Sequence, residues 1–386
     1  MQRIAGVVLS YILNQGGMTV YVTVKKKAVI DWSTIAALTA VCLLLLHYPN
    51  AMATGISRGL SICSTVIIPT LYPFMLLAGI LANSPLCRRP GRGITAVTGW
   101  LFGLPGCCGP AILLSLVGGY PAGAIAIARL RERGQITPEE TRRMTAFCVN
   151  GGPGFIVSTV GAGLLGSVQA GVMLYAAQVA VSVGIGIALG RGRRRVRETA
   201  QAPLPPPKPM AQVVSDTCAA LLTMCGFVVL AAAGLALAEG CGFTRGVAAM
   251  MGIDAATVSA VLAAVTEVSC GCVAMAGGGT FTPLWLSLAL SWGGLSVQGQ
   301  LAAVLPSERL IGLRFWRWRL LHGALSGGVA MALFALFPIH RATLQSGTAV
   351  VPYSVSAAAT LMLLLLSFLA MLCFSQFSEK KTGNAS

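Results

Sequence analysis

Long intervals without a charged side chain are the feature that most constrains this sequence. No Asp, Glu, Lys or Arg lies between Arg143 and Arg191, or between Glu267 and Glu308. A transmembrane helix needs about 20 predominantly apolar residues, so each interval has room for at least one. Only 10% of the 386 residues are charged and 55% are hydrophobic, whereas soluble domains carry about 25% charged residues. The chain is therefore predicted to be an all-α integral membrane protein.

Charged residues and helix breakers together predict the span positions. Eight transmembrane helices are expected, near 32–48, 60–82, 145–166, 168–190, 213–236, 283–304, 319–341 and 355–374. Two further apolar segments, 93–128 and 247–282, are interrupted by Pro and Gly at 105–110 and 271–279. Each fits a re-entrant hairpin, because irregular backbone at membrane depth is tolerated only where protein or a watery cavity surrounds it.

The distribution of Lys and Arg predicts the orientation. With both termini in the cytoplasm, only Arg58, Arg245 and Arg341 of the 27 basic residues fall outside, as the positive-inside rule requires. The same clustering accounts for the formal charge of +16. It therefore indicates a lipid bilayer as the partner and argues against nucleic acid.

A Pro- and Arg-rich cytoplasmic linker divides the chain into two halves. The expected regions are an N-terminal segment with the first transmembrane helix (1–57), a first repeat (58–190), the linker (191–212), a second repeat (213–340), and a C-terminal transmembrane helix with a tail (341–386). Met1 and Met18 are both possible translation starts. The oligomeric state is left open.

The two halves share an ordered, weak similarity. LYPFMLLAGIL at 71–81 aligns with MCGFVVLAAAGLAL at 224–237, and GGYPAGA at 118–124 aligns with TEVSCGC at 266–272. FCVNGGPGFI at 147–156 then aligns with LSWGGLSVQGQ at 290–300. Because span 60–82 is predicted to run inward and its counterpart 213–236 to run outward, the repeats are predicted to be inverted. Inverted repeats with interrupted helices at matching positions are typical of secondary transporters.

Polar groups inside these apolar segments are the candidate binding residues. Glu267 has no other charged residue within ten positions on either side, and intramembrane acids usually mark a substrate, ion or proton site. A solvated position near a hairpin turn is the alternative interpretation. The other candidates are Gly119, Tyr120, Pro121 and Gly123 in GGYPAGA, Asn150 and Pro153 on either side of the pair Gly151 and Gly152, the matching pair Gly293 and Gly294, and the polar residues Ser269 and Gln298.

No enzyme or cofactor motif accompanies these residues. The 12 Cys and three His show no zinc spacing, and most Cys lie in apolar runs, where they behave as small hydrophobes. No P-loop or hydrolase signature is present. We therefore expect a protein that is not an enzyme and has no cofactor, although a coupling proton or cation remains possible.

The segment 118–156, which runs from GGYPAGA through a basic loop to FCVNGGPGFI, resembles the sporulation integral membrane proteins that carry a nucleoside-recognition, or Gate, domain. EVSCGC at 267–272, GGLSVQGQ at 293–300 and RLLHG at 319–323 also resemble this family. The resemblance implies a fold similar to concentrative nucleoside transporters. It also implies movement of dipicolinic acid from the mother cell across the outer forespore membrane.

The resemblance suggests a planar dianion as substrate, with freed backbone amides and Tyr120 in the site. Arg129 would belong to a cytoplasmic rim that attracts anions, although plain positive-inside topology explains that rim equally well. A nucleoside carrier and a non-transporting scaffold of the spore envelope are the alternatives.

Overall fold

The computed structural model describes residues 32–88, 90–192, 206–277, 279–305 and 312–338. All regular structure within these ranges is helical, which confirms the predicted all-α class. The predicted span 355–374, the possible starts Met1 and Met18, and most of the linker lie outside the described residues. The α-helices are α1 Trp32–His47, α2 Pro49–Ile62, α3 Ile68–Asn83, α4 Pro85–Arg88, α5 Arg92–Phe102, α6 Cys108–Glu132, α7 Pro138–Phe147, α8 Val168–Gly190, α9 Met210–Gly240, α10 Phe243–Met251, α11 Ala255–Thr266, α12 Val268–Met275, α13 Thr282–Trp292, α14 Gly294–Val304 and α15 Leu313–Leu336.

Four continuous helices in the described ranges are long and apolar enough to cross a membrane. They are Pro49–Asn83, which joins α2 and α3 through a π-helical stretch, and α8, α9 and α15. The sharply bent pair α10 and α11 is a fifth candidate. These helices contain or overlap the predicted spans 60–82, 168–190, 213–236 and 319–341, and they support an integral membrane protein.

The structure differs from the eight continuous spans that were expected. Helix α1 coincides with the predicted span 32–48 within the described residues. The predicted span 145–166 is divided between α7 and a π-helix at Gly154–Leu164, and the predicted span 283–304 is divided between α13 and α14. Gly293 and Gly294 both have φ near +74°, a conformation that ends a right-handed helix.

Helix α9 lies antiparallel to the long helix Pro49–Asn83. A Cβ atom at Gly55 would lie 2.7 Å from Cα of Ala233, and one at Gly59 would lie 2.8 Å from Cα of Val229. The small residues thus let the two backbones approach closely, as is common between membrane helices. These two long helices are called here the helix scaffold. Asn83 and the start of α9 lie at one end of it, and Pro49 and Gly240 lie at the other end.

The first predicted hairpin has its turn at a different place from the one expected. Gly119 breaks α6 with φ 76° and ψ −163°, a region that essentially only glycine occupies. A Cβ at Gly123 would lie 2.8 Å from Cβ of Ser115, whereas eight residues of continuous helix rise about 12 Å. The chain therefore reverses at Gly119 to form the first hairpin, and the turn is not in the Pro- and Gly-rich segment 105–110.

The segment 105–110 instead connects α5 to α6. Gly103 ends α5 in the left-handed conformation, and Pro110 lies in the first turn of α6. A proline is tolerated in the first turn of a helix because its missing N–H would have had no partner within the helix. The Pro residues therefore mark the start of the hairpin, which explains why the expected turn was misplaced.

The second hairpin consists of α11 and α12. A Cβ at Gly271 would lie 2.4 Å from Cα of Ala264, so the two helices pack side by side and the chain reverses at Glu267. The backbone of Glu267 is extended, with φ −152° and ψ 133°. The turn again differs from the expected position. It lies at Glu267, before α12, whereas the glycines at 277–279 follow α12.

The two hairpins enter the helix bundle from opposite ends. Arg129 and Glu132, near the open end of the first hairpin, line a cavity together with Asn83 and Val213. In the second hairpin, the Ser259 hydroxyl donates a hydrogen bond to the Glu239 carboxylate at the other end of α9. Both turns therefore lie near the middle of the scaffold.

Candidate functional site

The two hairpin turns line a common small cavity, called here the central cavity. Its walls include Gly119 and Tyr120 from the first turn and Glu267 and Ser269 from the second. The cavity volume is about 30 Å³, enough for no more than about two or three water molecules. The site is therefore nearly closed in this conformation. Four other polar or interrupted-helix residues line it or lie beside it: Gly152, Ser296, Gln300 and Gly294.

Each hairpin turn packs directly against the interruption of a neighbouring helix. A Cβ at Gly119 would lie 2.9 Å from the amide nitrogen of Gly152, and a Cβ at Gly294 would lie 2.7 Å from Cα of Glu267. Gly119 and Gly152, both candidates from the sequence, are therefore in direct contact in the first half of the chain. Gly294 and Glu267 are in direct contact in the second half. Backbone approaches this close leave no room for a side chain.

Tyr120 links the first turn to the second half of the chain. Its hydroxyl donates a hydrogen bond to the carbonyl oxygen of Leu290, near the end of α13. A Cβ at Gly151 would lie 3.2 Å from this hydroxyl, and one at Gly293 would lie 3.6 Å from the ring. Tyr120 thus lies between the two interruptions, which brings the sequence candidates Gly151 and Gly293 to the same aromatic side chain.

Glu267 is buried and has no ion-pair partner among the described residues. It is 3% exposed, and its Oε2 accepts a hydrogen bond of 2.8 Å from the backbone N–H of Cys270. The carboxylate therefore caps the start of α12, where the helix dipole favours a negative charge. The nearby Ser269 is also buried. Glu267 is therefore distant from other charged residues in the sequence, and it forms no ion pair with the described residues in the fold.

Three sequence candidates lie away from the central cavity. The Asn150 amide donates to the carbonyl of Phe147 and to Ser182 Oγ, at 2.6 and 2.9 Å, so it joins the end of α7 to α8. Gln298 accepts a hydrogen bond of 2.8 Å from the Trp316 indole. A Cβ at Gly123 would meet the backbone carbonyl of Cys148 at 2.2 Å. All three have packing contacts that account for their positions.

The remaining candidates are Pro121, Pro153 and Arg129. The side chain of Pro121 lies outside the described part of the structure. Pro153 immediately precedes the π-helix Gly154–Leu164, where a missing backbone N–H is easily tolerated. Arg129 lines a separate cavity of about 340 Å³ at the end of the bundle where α9 begins. That basic cavity also contains Arg88, Arg133 and Lys208, together with acidic Glu132 and Asp216.

A buried polar network between α8, α13 and α15 was not predicted. Arg319 is 1% exposed and donates through Nε to the carbonyl of Ser291. Ser291 Oγ donates to Gln178 Oε1 at 3.0 Å, and His322 Nε2 lies 3.0 Å from the Gln178 carbonyl. The sequence signal was the polar spacing 319, 322 and 326, which places three polar side chains on one face of a helix.

No group of His, Cys, Asp and Glu in the described ranges has the arrangement needed to hold a metal ion. The polar atoms around the central cavity are instead one carboxylate, hydroxyls, an amide side chain and backbone groups. Such a set can bind a small polar solute or a proton.

Comparison with known proteins gives one relative. Over 133 residues, the chain is 30% identical to the sporulation integral membrane protein YlbJ of Bacillus subtilis, and the match covers 34% of this chain and 33% of that protein. The chain thus spans about a third of the length of the curated relative it matches. No protein-family model matches the chain, and no solved structure matches it. This is a membrane protein related to a sporulation integral membrane protein.

Proposed function

We propose that the protein is a membrane transporter for a small carboxylate anion, with dipicolinic acid as the substrate suggested by the family resemblance. The observation that carries the proposal is the meeting of two hairpin turns and two interrupted helices around Tyr120 and Glu267. Irregular backbone of this kind is found at membrane depth where it surrounds a solute pathway. The proposed location is the outer forespore membrane, with both termini in the cytoplasm of the mother cell.

An inverted repeat is part of the proposal, and the order of elements supports it. In each half a long helix is followed by a short helix, a hairpin, an interrupted helix and another long helix. The short helices are α5 and α10, and the final long helices are α8 and α15. The hairpins enter from opposite ends of the bundle, as inverted repeats require. This arrangement is similar to the one that the resemblance to concentrative nucleoside transporters implies.

The basic cavity fits the cytoplasmic side of an anion pathway. Four basic and two acidic side chains line it, so its field favours anions and raises their local concentration. Arg129 lines this cavity and lies on the second arm of the first hairpin, whose turn carries Tyr120. A substrate moving from this cavity toward the centre would follow the hairpin.

Uptake into proteoliposomes tests the proposed function. Purified protein is reconstituted, and accumulation of labelled dipicolinate is compared with that of labelled uridine and with empty liposomes. We expect saturable dipicolinate uptake without uridine uptake. Uridine uptake alone would favour the nucleoside carrier, and absence of both activities from correctly folded protein would favour the scaffold.

A further inference from the structure

Resting on the proposed function, we propose that the Arg319 guanidinium is the positive charge that pairs with a carboxylate of the transported anion. The substrate class follows from this assignment: a molecule with at least one ionised carboxylate is bound, and a neutral molecule of the same shape is not.

Arg319 is a buried charge without a counter-charge in the described part of the chain. Its Nη1 and Nη2 atoms form no hydrogen bond with another described residue, and no acidic residue there forms an ion pair with it. Arginine stays protonated in proteins. A buried, unpaired ion costs several kcal/mol even after relaxation, so the site favours an incoming anion.

The position of Arg319 connects it to the central cavity. Its Nε donates to the carbonyl of Ser291, while Tyr120 donates to the adjacent carbonyl of Leu290. The two side chains also interact electrostatically. Because Tyr120 lines the central cavity, this one side chain is a neighbour of both the cavity and Arg319.

The hydrogen bond that caps α13 uses only one of the three nitrogen atoms of the Arg319 guanidinium. The last carbonyls of a helix lack partners within the helix, and Arg319 Nε satisfies the one at Ser291. The two terminal nitrogens are left over, and they are the pair that binds a carboxylate in a bidentate manner. His322 and Gln178 hold the surrounding backbone and hydroxyl groups in place, so the guanidinium is positioned before the anion arrives.

Access requires movement of the first hairpin turn. The central cavity has room for no more than about two or three water molecules, far less than an aromatic dicarboxylate needs. When the Tyr120 hydroxyl leaves Leu290, the central cavity and the guanidinium become continuous. The anion then replaces the contact between Tyr120 and α13 with its own contact to Arg319.

The test measures anion binding separately from transport. Wild-type protein, Arg319→Gln and Arg319→Lys are purified in detergent, and the rise in melting temperature is titrated with dipicolinate and with the neutral pyridine-2,6-dicarboxamide. Arg317→Gln is the matched control, because it removes an exposed positive charge two residues away on the same helix. We expect dipicolinate to stabilise the wild type and the control, and the diamide to stabilise neither.

Loss of a charge-assisted hydrogen-bond pair predicts at least about a tenfold weaker apparent affinity in Arg319→Gln. Arg319→Lys keeps the charge but loses the planar fork, so an intermediate affinity is expected. Unchanged dipicolinate affinity in either folded variant would overturn the assignment. If neither variant folds, modification of wild-type Arg319 by phenylglyoxal decides: slower modification with dipicolinate supports the inference, and an unchanged rate refutes it.

The result can be separated from that for the proposed function. Arg319-dependent anion binding without any uptake would contradict transport and support the site. Dipicolinate uptake with normal affinity in Arg319→Gln proteoliposomes would support transport and refute the site.

Discussion

Replacement of Glu267 by Gln tests whether a proton at the second hairpin turn controls transport. The carboxylate caps α12 through Oε2, and the carbonyl oxygen of Gln can accept the same hydrogen bond. A lost cap costs about 1 kcal/mol, so the stability of Glu267→Gln should change by less than that. The variant therefore removes ionisation while it preserves the hairpin.

The expected effect on transport follows from the position of Glu267 at the second hairpin turn. A substrate carboxylate that binds at this turn would come within about 4 Å of an ionised Glu267, the separation of a close charge pair. Two like charges at that separation repel by about 4 kcal/mol at an effective dielectric constant of 20, which corresponds to about a thousandfold in affinity. Uptake of the dianion should therefore fall as rising pH ionises Glu267, by up to about tenfold per pH unit for one proton.

The assay is initial uptake of labelled dipicolinate between about pH 6 and 9, where free carboxylates are already ionised. We expect wild-type uptake to decrease with pH, and Glu267→Gln to be inactive or to show a flat profile. Glu239→Gln serves as the control, because Glu239 is also a hydrogen-bonded carboxylate, in its case to the Ser259 hydroxyl, but lies at the exposed end of α9. A Glu267→Gln profile identical to that of wild type would refute the coupling role.

Three further predictions concern the scaffold and its orientation. Asn150→Ala should destabilise the protein by about 1–3 kcal/mol, because it removes two buried hydrogen bonds, while dipicolinate affinity in the folded fraction stays unchanged; thermal unfolding and ligand titration check this, and a selective loss of affinity would contradict it. Gly294→Ala should abolish uptake, since its Cβ would collide with the second hairpin turn, whereas Gly246→Ala, with open space around it, should behave like wild type; comparable uptake by both variants would argue against the close contact. Cysteines at Arg133 and Arg245, in a background without native Cys, should be labelled from opposite sides of the membrane, and labelling from the same side would exclude the opposite-end arrangement.

The sequence was sufficient to predict the helical class and the surroundings of the central cavity. The alignment of GGYPAGA with TEVSCGC pairs Gly119 with Glu267 to within a residue, and both lie at hairpin turns. The Gly-Gly pairs at 151–152 and 293–294 likewise lie at helix interruptions. Glycine at such places is required by close backbone contact, which is why the pattern was informative.

Other features were hidden because one residue type serves several purposes. Clusters of Pro and Gly drew attention to 105–110, although Pro110 only starts a helix. Asn150 has the chemistry of a ligand, but its amide is already bonded to Ser182. Arg319 was grouped with the cytoplasmic positive charges, because a linear sequence does not show that the next turns of its helix face Gln178. Such roles depend on partners from distant segments.

The glycine contacts around the central cavity have a consequence for mutational scanning. At Gly119, Gly152 and Gly294, every substitution adds atoms where the neighbouring backbone lies about 3 Å away or closer. Intolerance at these three positions will therefore measure steric exclusion and will occur for any substrate. Tyr120 and Arg319 are different, because smaller or isosteric replacements fit there without collision. Substrate-dependent fitness effects at those two positions are the ones that would report recognition chemistry.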